Sequence, residues 1–127
     1  MRALRRALLA MRTVNDQIIK ATKRLDHGRS GEIVTLRQEF NEACGDFIKR
    51  LQELLRDRDN IHLFVRLQDE FDEMRSALQG HQRQWTPEAI AADLDFYLKR
   101  NELIAVKVSS FVENSLTAIS DDHDAVA

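Results

Sequence analysis

Apolar residues recur at every seventh position in the first stretch of the chain, at Leu4, Met11, Ile18 and Leu25, with Ala7, Val14 and Ala21 between them. Spacing of seven with an intervening three or four places one face of an α-helix against a neighbour and cannot be satisfied by a strand, whose faces alternate. The charges at Arg2, Arg5, Arg6, Arg12, Lys20 and Lys23 fall off that seam, and Gly28 is the residue type expected just past a helix end. The spacing predicts a helix over 2–27. With one proline and four glycines in 127 residues, the rest of the chain has few interruptions to such a pattern.

The pattern continues. From a cap-like Ser30, the seam Ile33, Phe40, Phe47, Leu54 predicts a helix over 31–57, with Val34, Ile48 and Leu55 widening its apolar face. The run Arg56–Asn60 has no apolar member and separates it from Phe64, Leu67, Phe71, Met74, Leu78, His81, Trp85, a stripe predicting a helix over 60–85. In Thr86-Pro87-Glu88 the threonine suits an N-cap, the proline the first helical position and the acid the first turn. A fourth helix is therefore expected over 87–119, along Ile90, Leu94, Tyr97, Asn101, Ile104, Val108, Phe111 and Ala118, with Leu98, Val106 and Val112 on its flanks. Residues 120–127 turn acidic and lose the period, as a disordered tail would.

Four helices of this length, each about 40–50 Å at 1.5 Å rise per residue, joined by short connections, cannot run parallel in succession. The fold class that follows is all-α, an antiparallel up-down-up-down four-helix bundle spanning 1–119. A chain of 127 residues suits one such core.

Charge divides unevenly. Residues 1–29 carry eight Lys/Arg against Asp16 and Asp26, and residues 30–127 carry eleven against nineteen acids. In a bundle the basic first helix can face acidic neighbours, and its lack of interleaved aromatics does not point to nucleic acid. Its Arg-rich start superficially suits a targeting segment or a membrane-surface helix, but the same periodicity continues unbroken through Leu25, as in a folded domain. A lone Cys44 precludes an internal disulfide, and no run of 18 apolar residues is present, so a cytoplasmic setting is expected.

Antiparallel folding brings residues near 15, 44, 74 and 101 to one depth, so Asn15, Cys44 and Asn101 are expected to form a buried polar layer beside Met74. Buried amides of this kind fix register. His81 points inward near the third turn, as a core histidine. Inward histidines hold the di-iron centre of hemerythrin-like proteins, but that requires several histidines on facing helices, and no second one lies on a seam here. A degenerate metal or redox bundle around His81 and Cys44 is the weakest of three readings.

His62 lies off the seam, with Arg58 and Arg66 four residues to either side. Histidine-phosphotransfer domains are four-helix bundles of this size with an exposed histidine and a nearby cation. The text His62-Leu-Phe-Val-Arg66 lacks their usual His-Lys-small run, which leaves His62 as a candidate phosphoacceptor and phosphotransfer as the second reading. No nucleophile, base and orienting group can be assembled from spacing, and no cofactor motif is present. The leading expectation is a non-catalytic interaction or regulatory protein that binds a protein partner, or itself as a homo-oligomer, through an apolar helix flank.

Overall fold

The computed structural model of the chain is all-α. Its elements are α1 (Arg2–Lys23), α2 (Ser30–Leu54), a 3₁₀ turn (Arg58–Asn60), α3 (Ile61–Gln84), α4 (Pro87–Ala92) and α5 (Leu94–Val126). The structure describes residues 1–24, 30–56 and 58–126, without the side chains of residues 30 and 121–126, and holds no strand among them.

Three of the expected helices are present with shifted ends. α1 stops at Lys23, and the expected terminus at His27 with Gly28 lies outside the described residues. α2 ends at Leu54 rather than 57, one residue before the last apolar member, Leu55. α3 begins one residue late, after the 3₁₀ turn, and closes on Trp85, whose backbone N–H donates to the His81 carbonyl at 2.9 Å.

The expected single helix over 87–119 is two helices. Thr86 caps α4 as its sequence suggests, with Oγ1 accepting from Ala89 N–H at 3.3 Å. At Asp93 the backbone leaves the helical region (φ −147°, ψ 69°), and its Oδ1 accepts from Phe96 N–H at 3.3 Å, restarting the chain as α5. A carboxylate satisfying a free amide at a helix start is worth about 0.5–2 kcal/mol, enough to fix the break where six residues of helix precede it. α5 then runs to Val126, so the segment expected as a disordered tail is helical through that residue. Loss of apolar period removes the reason to pack but does not interrupt the i→i−4 backbone bonds.

α1 packs on α2 and α5, and α3 packs on α5 and α2, while the short α4 lies against α2 and α5. Numbers that rise on one helix meet numbers that fall on the next: Arg5–Ser120, Arg12–Glu113 and Asn15–Ala105 between α1 and α5, Phe71–Phe111 and His81–Tyr97 between α3 and α5. At the centre of the main core, Phe47, Phe71 and Phe111 form a triangle of rings with centroids 5.0, 5.6 and 5.9 Å apart, joining α2, α3 and α5. Burying three such rings ties together helices distant in sequence, each ring contributing about 1.5–3 kcal/mol. A second cluster, Ala21, Ile33, Trp85, Ile90 and Tyr97, closes the end where α4 sits.

The basic first helix and its C-terminal cap residue Arg24 place part of their charge within the molecule. Arg12 pairs with Glu113 at 3.0 Å, Arg24 with Glu32 at 3.3 Å, and Arg5 donates to Ser120 at 2.8 Å.

Candidate functional site

Two regions differ from an ordinary helical core: a polar cluster between the two apolar clusters, and the outward face of α5.

The polar cluster is built on Arg37, which stands four residues after Ile33 and three before Phe40, on the buried seam of α2, where a charged side chain breaks an otherwise apolar pattern. Its Nη1 donates to the Trp85 carbonyl at 2.6 Å, one of the carbonyls that a helix end leaves free. Burial pulls its pKa below the ordinary value, with the Tyr97 hydroxyl partly opposing. His81 stacks on Tyr97 with ring centroids 5.8 Å apart, and the Tyr97 hydroxyl donates to Asn101 Oδ1 at 3.4 Å. Burial, then the positive charge of Arg37, lower the His81 pKa to about 4, with hydrogen bonding to Asn101 acting the other way. The ring is therefore neutral at pH 7.

A cavity of about 20 Å³ lies among Asn15, Arg37, His81, Gln82 and Asn101. Among the described residues, Arg37 Nη2, His81 Nε2 and Gln82 Nε2 are buried without a hydrogen-bond partner. The space suits something the size of one water and no organic substrate.

Each expected site residue has a definite place. Asn15 and Asn101 are buried and share the cavity wall, with Asn15 Nδ2 donating to the Ala105 carbonyl at 3.3 Å. Cys44 and Met74 instead belong to the main apolar core, so the expected layer is divided between polar and apolar surroundings. Burial pushes the Cys44 thiol up to about 12. His81 is partly buried on the Tyr97 ring, and His62 is exposed in the first turn of α3, where Arg66 reaches Glu70 at 3.8 Å. No group of three or more His, Cys, Asp or Glu among the described residues is placed to hold a metal ion.

The expected apolar flanks separate into three kinds. Val112 is buried, which corrects its assignment to a flank, because it lies on the same side of α5 as Val108 and Leu116. Ile48, Leu55 and Leu98 are half-buried against the core. Val34 and Val106 are exposed, and Val106 at 64% has Leu103 at 65% and Phe96 at 42% on its own helix. Leu103 is not among the flank residues expected from the sequence.

A groove of about 470 Å³ flanks this face on the α1 side, lined by Ile19, Lys23, Glu102 and Val106. Another of about 470 Å³ flanks it on the α3 side, lined by Gly80, Trp85, Arg100, Leu103 and Lys107. The Phe96 ring lies between two partners, with the Arg100 guanidinium 5.0 Å from its centroid and the Trp85 ring 5.8 Å away.

Among the described residues, no helix is long and apolar enough to cross a membrane. Comparison of the chain with protein-family models, curated proteins and solved structures finds no match in any of the three.

Proposed function

We propose that this chain is a non-catalytic interaction or regulatory protein of the cytoplasm, a four-helix bundle of up-down-up-down topology whose binding surface is the outer face of α5. The opposed numbering of the helix contacts supports that topology. The observation that carries the binding surface is the exposure of Leu103 and Val106 at about two thirds each, three residues apart on one helix face. Burying those two side chains in a contact is favourable by roughly 25 cal/mol per Å² of apolar area removed from water. The grooves on both sides of the stripe leave room for a partner's side chains.

The polar cluster has a structural role in this reading. Arg37 holds the C-terminus of α3 through the Trp85 carbonyl, and the Asn15 bond to Ala105 fixes the register of α1 on α5.

The test is quantitative affinity capture from the native cell with the wild-type chain and a Leu103→Lys, Val106→Lys double variant of equal thermal stability. Loss of a captured complex in the variant is the expected result. Equal recovery of the same complex by both chains overturns the assignment of α5.

A further inference from the structure

We infer that the outer face of α5 is a parallel, two-fold contact for a second copy of this chain. The inference rests on α5 being the binding surface and adds the identity of the occupant and its direction.

The outer face of α5 carries its own heptad. Phe96, Leu103 and Ser110 recur every seven residues, with Lys99, Val106 and Glu113 three further on, and all six are exposed; the apolar members are Phe96, Leu103 and Val106, and Glu113 at the far end pairs with Arg12 of α1. They form the a and d positions of a seam that points away from the core. Its two edges differ in sign. The edge before each a position holds Asp95, Glu102 and Ser109, and the edge after each d position holds Arg100, Lys107 and Asn114, again all exposed.

This arrangement selects both partner and orientation. In a parallel pair related by a two-fold axis along the helices, each residue of the first edge meets the residue five positions on in the other copy. Asp95 then meets Arg100 of the second copy and Glu102 meets Lys107, and the symmetry makes each pairing twice. An antiparallel pair would bring the two acidic edges together and the two basic edges together. The grooves follow the same rule. Glu102 and Val106, with Lys23 of α1 beside them, line the one on the α1 side, and Arg100 and Lys107 line the one on the α3 side, so Glu102 faces the basic groove of the second copy.

Lys107 is free to change partner, since its own contact with Glu73 is long at 3.9 Å. Lys99 places an ammonium in the seam, where its stem can lie along Phe96 while the charge reaches water. A polar d position lowers affinity and keeps register, so the pair is weak and concentration-dependent.

The experiment combines cross-linking with charge exchange in the full chain. Under mild oxidation, Leu103→Cys should form a disulfide-linked dimer, because a positions meet across the two-fold axis, while Val34→Cys on α2 should not. In sedimentation, Glu102→Lys should weaken the dimer by about tenfold or more, and Glu102→Lys with Lys107→Glu should restore it. Cross-linking through residue 103 no faster than through residue 34 overturns the proposal. A chain that stays monomeric at all concentrations while Leu103→Lys, Val106→Lys loses its complex in cells overturns self-association alone. A dimer indifferent to both substitutions overturns α5 as the surface as well.

Discussion

His81 on α3 lies against Tyr97 on α5 with ring planes 22° apart and centroids 5.8 Å apart, and Arg37 brings a guanidinium to the same place from α2. Three helices therefore converge on one titratable ring. Charging that ring costs stability, because both burial and the neighbouring cation disfavour the imidazolium.

Stability should fall on mild acidification. The folded pKa of His81 is lowered to about 4 from 6.5, so between those values the unfolded chain binds a proton that the native chain does not. The stabilisation is fully present above pH 6.5 and is lost as the pH falls through about 4. Allowing for the solvent that reaches a partly exposed ring, the loss is about 1–2 kcal/mol. Urea unfolding at pH 7 and pH 4.5 should show the wild type losing that much more than His81→Phe. Equal losses would assign the acid sensitivity to carboxylates.

Removing the cation should raise the His81 pKa. Arg37→Met keeps much of the buried stem and deletes the charge, leaving burial as the main force on the ring. An imidazole titration by NMR should show the His81 midpoint moving toward its ordinary value. A midpoint unchanged from the wild type would mean that Arg37 does not act on the ring.

Cys44 should be inert in the folded chain. The thiol is buried and its pKa is pushed up to about 12, with Arg75 only weakly opposing, so almost no thiolate exists at pH 8. Its reaction with an aromatic disulfide reagent should proceed at the rate of unfolding, independent of reagent concentration at high excess. Rapid stoichiometric labelling of the native chain would show an open path to Cys44.

The two caps near the third turn should each be worth about 1 kcal/mol. Asp93→Ala removes the acceptor for Phe96 N–H and Thr86→Ala the acceptor for Ala89 N–H. Denaturant midpoints of both variants should fall without a change in slope. A neutral Asp93→Ala would mean that α4 and α5 join into one helix at no cost.

The residues that were legible in the sequence act over short range. Thr86 and Pro87 mark a helix start through their own backbone chemistry, and Leu4, Met11, Phe40 and Phe71 repeat often enough to define a buried face. Asp93 was illegible as a break because an acid on a helix surface looks the same as an acid at a cap until its φ is known. Arg37 was missed although its place between Ile33 and Phe40 on the seam of α2 signals an inward position, because a charged residue there reads as an interruption until its partner, a carbonyl 48 residues away, is seen. Val112 and Leu103 were misassigned or passed over because α5 is apolar on two faces, and periodicity alone does not say which faces the core.

The claim that the outer face of α5 is covered when the protein works is tested most directly by hydroxyl-radical footprinting of the full chain in the native cell and as dilute purified protein. Labelling of Leu103 and Val106 should drop several-fold in the cell, while Val34 and Val65, exposed on other helices, should label equally in both. Undiminished labelling of Leu103 and Val106 in the cell would mean that this face stays open to solvent and binds no partner there.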